Sequence, residues 1–101
     1  MNTEQLLRDI KARISHTSSK EYLKEKYHSK LIFADQGGLW KASPELLAYL
    51  RSEEDELVII LDSYDNPIMV NRIDLYDKMY KVYNDAMGLW YSELKELENK
   101  R

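Results

Sequence analysis

The last third of the chain carries its clearest pattern of apolar and polar positions. Ile73, Tyr80, Met87 and Leu94 recur at seven-residue spacing, as do Tyr76, Tyr83, Trp90 and Leu97, and charged residues fall mostly between the two rows. This predicts one long amphipathic helix, capped by Asn71, with Asp74 placed to favour the positive end of the helix dipole. Such a helix extends for about 40 Å at 1.5 Å per residue, whereas a compact domain of this size has a radius of gyration of about 13 Å. The helix is therefore expected to outrun its own core and meet another surface. Gly88 lies off both rows and costs about 1 kcal/mol relative to alanine. There the helix is expected to bend or break, or another backbone to approach.

The remaining pattern is shorter-ranged. Asn2 and Gln5 resemble a capping box, followed by Leu6, Leu7, Ile10 and Ile14 on one helical face. The polar stretch Ser15–Ser19 is expected to end this helix, and Glu21–Tyr27 to form a short second one with Tyr22, Leu23 and Tyr27 on its apolar side. Lys30–Ala34 and Leu39–Ala42, separated by the turn Asp35–Gly38, read as a hairpin. Ser43 and Pro44 start a short helix that buries Leu46, Leu47 and Leu50. The unbroken apolar run Leu57–Leu61 predicts a strand buried on both faces or central in a small sheet, and the turn Asp62–Pro67 leads to a fourth strand, Ile68–Val70. The expected fold is one α+β domain over residues 1–101: a small antiparallel sheet of two β-hairpins, an N-terminal helix, a short middle helix and a long C-terminal helix.

Composition narrows the function classes. The 101 residues include no cysteine, which excludes disulfides, thiolate zinc sites and cysteine nucleophiles. No apolar run approaches the roughly 20 residues of a membrane span, and the polar start is no signal peptide. A soluble, intracellular protein without membrane contact is expected. A net charge of −3 argues against a dedicated nucleic-acid binder. Charge is nonetheless segregated: residues 11–30 hold six lysines and arginines against two acids, and residues 31–60 hold two against six. Such segregation suits a solvated surface or the steering of a partner.

Little in the sequence points to catalysis. His16 and His28 have no partners at metal-ligand spacing. Asp62 and Asp65 flank a turn, where such acids usually bond local amides, although a carboxylate pair can also perform acid–base work or bind a cation. Phosphate-binding loops, dinucleotide fingerprints and nucleophile elbows are absent; Gly37 and Gly38 mark a turn. No catalytic, metal or cofactor residue is expected. The aromatics are the stronger signal: eight tyrosines, two tryptophans and one phenylalanine, with tyrosine and tryptophan being the side chains that anchor interfaces. Tyr76–Tyr83 are expected to cover the hairpins. Leu89, Trp90 and Tyr91 are consecutive and cannot all face one side.

Gly38-Leu39-Trp40-Lys41-Ala42-Ser43-Pro44-Glu45-Leu46, then Asp62, Tyr64, Asn66, Pro67, Ile68, Val70, Asn71 and Arg72, and finally Trp90, Tyr91 and Glu93, together resemble small proteins encoded by large T-even-type contractile-tailed bacteriophages. The resemblance spans roughly residues 37–97. It implies a phage context, in the cytoplasm of an infected bacterial host or in the virion, and it implies no catalytic residue.

The expected function is thus that of a non-enzymatic accessory or assembly protein that binds protein, by self-association or partner docking, through Tyr83, Met87, Trp90, Tyr91 and Leu94. An alternative is an inhibitor that blocks the basic nucleic-acid groove of a host enzyme with Glu53, Glu54, Asp55, Glu56, Asp62 and Asp65. A third, minor reading is single-strand nucleic-acid binding by Lys20–Lys30, with Tyr22 and Tyr27 as stacking platforms.

Overall fold

The structure, a computed structural model, describes residues 3–99, except for the side chains of Ala12, Ile14, Ser15 and His16. The expected Asn2 cap, the place of Ile14 on its helical face and any role of the His16 imidazole lie outside the described residues. The described chain runs α1 (Thr3–Lys30), β1 (Ile32–Asp35), β2 (Gly38–Lys41), α2 (Pro44–Ser52), β3 (Leu57–Leu61), β4 (Pro67–Asn71) and α3 (Arg72–Asn99). It is an α+β fold drawn out to 66 × 24 × 18 Å.

α1 is one helix where two were expected. The first 35 residues contain neither glycine nor proline, and serine and threonine each cost a helix only some tenths of a kcal/mol. Packing of the second half of α1 on α3 outweighs that cost. The two helices run antiparallel, with Tyr27 against Trp90 and Glu93, and Leu23 beside Leu97.

The hairpins form two separate two-stranded sheets rather than one. In the first, Gln36 and Gly37 both have positive φ, at 50° and 80°, as a two-residue hairpin turn requires. Gln36 then serves the second hairpin: its side-chain amide accepts from Asn71 N at 2.7 Å and donates to Asn71 O at 3.2 Å. The side chain of Gln36 thus fills the place of a neighbouring strand's backbone.

Ser43 Oγ accepts from Leu46 N at 3.1 Å and Pro44 opens α2. Asn71 Oδ1 accepts from Asp74 N at 3.0 Å and opens α3. Arg72 closes the other side of the junction by donating to the carbonyls of Leu50 and Asp55. α3 continues unbroken through Gly88, where an added Cβ would meet nothing within 4 Å. Gly88 is exposed, so neither the expected break nor a close backbone approach occurs.

The core consists of Leu23, Tyr27, Leu31, Trp40, Ala42, Leu50, Val58, Val70, Leu75, Met79 and Ala86, with Trp90 and Leu97 packed at its edge. Its stripe on α3 therefore runs through Leu75, Met79, Val82, Ala86, Trp90 and Leu97, a period close to 3.6. The row Tyr76, Tyr83, Trp90 and Leu97 packs along its edge, whereas the other row starts on the opposite side of the helix and drifts toward the core by about 20° per heptad. The row Ile73, Tyr80, Met87 and Leu94 begins exposed and reaches the edge of the core only at Leu94.

Candidate protein-docking surfaces

Four of the five expected docking residues come together. Met87, Trp90, Tyr91 and Leu94 line a shallow apolar groove of about 180 Å³ on α3; Tyr83 lies outside it, packed against the core. Their roles divide. Trp90 stacks on Tyr27 with ring centroids 6.0 Å apart and meets His28 edge-on at 5.6 Å, so much of its indole holds α1 to α3. Met87 and Tyr91 face solvent.

This groove is one end of a longer stripe. Ile73, Tyr80, Met87 and Tyr91 are all exposed along one flank of α3, and at 3.6 residues per turn they share a side of the helix. Tyr80 stacks on Tyr76 with centroids 5.8 Å apart. The Tyr76–Tyr83 region thus covers the core only in part, and its apolar flank remains open.

The acidic residues separate more sharply. Glu54, Asp55, Glu56 and Asp65 are exposed, and Glu53 is half-buried. Asp62 is buried at 8% exposure and belongs to no acidic surface. Its Oδ1 accepts from Tyr64 N and Asn66 N, both at 3.0 Å, and its Oδ2 accepts from Leu39 N at 3.1 Å in the other hairpin. The amide of Asn66, then those of Leu39 and Tyr64, hold the carboxyl below the usual aspartate range. With Ser63 N donating to Leu39 O at 2.8 Å, Asp62 ties hairpin to hairpin.

Tyr27 is buried at 1% exposure and cannot serve as a stacking platform for bases, whereas Tyr22 is exposed. Among the described residues no three histidine, aspartate or glutamate side chains gather where a metal ion could sit. No described helix is long and apolar enough to cross a membrane.

A second apolar surface departs from the expected burial of Leu57–Leu61. Only the Val58 and Ile60 side of β3 faces the core. Leu57, Ile59 and Leu61 point outward, with Met69 opposite Ile59 in the register. Three helices and one other two-stranded sheet provide too few layers to cover both faces of this hairpin, and that shortage of layers was the available signal. No family model matches the chain, and no curated protein or solved structure matches it.

Proposed function

We propose that this chain acts by protein–protein binding without catalysis, in an accessory or assembly role of the phage type, through the aromatic flank of α3. The observation that carries the reading is the exposure of Ile73, Tyr80, Met87 and Tyr91 on one side of a helix whose core stripe lies elsewhere. Full burial of each such side chain is worth roughly 1.5–3 kcal/mol, and a row of exposed apolar side chains, here interspersed with the exposed Asp77 and Asn84, supports an interaction surface.

The test compares wild-type chain with a Tyr80→Ser, Tyr91→Ser double variant as bait in extract from phage-infected bacteria, at low and high salt. Capture of a defined protein that survives high salt and disappears with the double variant supports the reading. Capture indifferent to the double variant contradicts it.

The acidic-inhibitor reading rests on a different observation: Glu53–Asn71 contains six acids and neither lysine nor arginine. Binding by that surface would fall steeply with salt. It would also survive the tyrosine substitutions.

A further inference from the structure

The two edges of the β3–β4 hairpin differ. Asp62 N donates to Asn66 O at 3.0 Å and Arg72 N to Glu56 O at 2.9 Å. The pairs between them that exchange backbone hydrogen bonds are therefore Val58 with Val70 and Ile60 with Ile68. At the intervening positions the N–H and C=O groups point sideways, out of the hairpin. The β4 edge is closed at both ends, because Pro67 has no N–H to offer and Gln36 engages both backbone groups of Asn71. On the β3 edge, the corresponding groups of Leu57, Ile59 and Leu61 have no partner among the described residues, and no third strand joins the sheet.

Backbone groups of this kind are either hydrated or paired with another strand. Exposed edges are ordinarily guarded by lysine, proline or a bulge, and β3 has none of these over five residues in unbroken register. The side chains of Leu57, Ile59 and Leu61 are 56–61% exposed beside this edge. Donors and acceptors repeated at every second residue fit an extended backbone. A helix, whose backbone groups bond one another, cannot satisfy them.

Charge selects among extended segments. Glu54, Asp55 and Glu56 lead into β3 and Asp65 lies at the turn beyond it, all exposed, and residues 53–71 contain no lysine or arginine. A second copy of β3, laid in either direction, sets acids against acids at both ends. A strand flanked by lysine or arginine meets opposite charge at both ends.

We propose that the open edge of β3 binds an extended segment of a partner protein, flanked by basic residues, which joins the hairpin as a third strand. This edge belongs to a different element from the flank of α3, and binding at one does not require the other.

The probe is the synthetic peptide Lys-Lys-Val-Thr-Val-Thr-Val-Lys-Lys, titrated into the full chain at low salt while amide exchange is followed residue by residue. Exchange should slow at Leu57, Ile59 and Leu61, whose N–H groups face outward, and change little at Val58 and Ile60, which are already bonded within the hairpin. A twin with glutamate in place of lysine should bind several-fold more weakly. Two further versions are N-methylated, one on its valines and the other on its threonines. Only alternate residues of an added strand turn their N–H groups toward β3, so one version should lose at least about tenfold in affinity and the other should not. Ile59→Pro removes an outward donor without breaking a bond to β4 and should weaken the peptide likewise; if that variant loses native helical content, the methylated peptides decide alone. No slowing at the outward amides, equal binding of the glutamate twin, or equal affinity of the two methylated versions overturns the proposal. Slowing of the same amides in the free chain as its own concentration rises assigns the edge to a second copy and also overturns it.

Discussion

The Tyr27 hydroxyl donates to Glu93 Oε1 across 2.6 Å, and Lys26 Nζ reaches the same oxygen at 2.8 Å. One glutamate thus joins the last turns of α1 to the last turns of α3, beside the Tyr27–Trp90 stack. The hydrogen bond from Lys26, then that from Tyr27, hold the Glu93 carboxyl below the usual glutamate range. The bond to Glu93 raises both Lys26 and Tyr27 above their ordinary values.

These directions fix the sign of the pH dependence. Glu93 contributes stability that is present above the ordinary glutamate value of about 4.3 and lost as pH falls through its depressed folded value. Lys26 and Tyr27 contribute stability that is present below their ordinary values, about 10.4 and 10, and lost as pH rises through their raised folded values. Thermal melts across pH should show a plateau at neutral pH with losses on both sides. Glu93→Gln should flatten both limbs, modestly, because Lys26 and Glu93 remain partly exposed. Melts of Glu93→Gln and wild type with identical pH dependence would contradict this assignment.

Asp62→Asn should destabilise the chain, because both carboxyl oxygens accept from backbone amides and an amide NH₂ would oppose one of those donors. Amide exchange should accelerate at Leu39, in the other hairpin, as well as at Tyr64 and Asn66. Unchanged protection at Leu39 would mean that Asp62 does not couple the hairpins.

Two glycines should respond in opposite senses to alanine. Gly88→Ala should stabilise by about 1 kcal/mol in chemical denaturation, since it adds helix propensity at an open site. Gly38→Ala should destabilise by roughly 1–3 kcal/mol, the usual range for overpacking. Its Cβ would fall 2.5 Å from the Trp40 ring, which is pinned by donation from Nε1 to Asp35 O at 2.8 Å. Equal effects at the two sites would contradict the assigned environments.

Trp90 and Tyr91 should separate folding from binding. Trp90→Ala should cost roughly 3 kcal/mol of stability, as expected for loss of a large packed aromatic, because it removes the stack on Tyr27. Tyr91→Ser, at 63% exposure, should change stability by less than about 0.5 kcal/mol while weakening capture of a partner. A destabilised Tyr91→Ser would place that side chain in the packing and remove it from the docking flank.

Much of the fold was legible in local chemistry. Ser43–Pro44 and Asn71 start their helices as their side chains dictate, and the β1–β2 turn falls on Gln36 and Gly37. What escaped was tertiary. The polar stretch Ser15–Ser19 reads as a stop, but serine and threonine oppose a helix only weakly, and from Ser19 onward α1 lies beside α3. Of the seven-residue rows on α3, Tyr76, Tyr83, Trp90 and Leu97 pack against the core, but Ile73, Tyr80 and Met87 lie on the far side of the helix from Leu75 and Met79. Leu57–Leu61 looks doubly buried because composition cannot count the layers available to cover it. Asp62 and Asp65 look alike in sequence; only the approach of Leu39 distinguishes a buried tie from an exposed acid. Of the docking residues, the grouping of Met87, Trp90, Tyr91 and Leu94 was legible, whereas the stacking of Trp90 on Tyr27 was not.

The claim that this chain binds protein through the exposed flank of α3 is tested most directly by comparing what the wild-type chain and the Tyr80→Ser, Tyr91→Ser variant retain at high salt. The account predicts a defined bound protein, which includes a second copy of this 12.0 kDa chain, that is lost with the variant. Retention unchanged by the variant would contradict it.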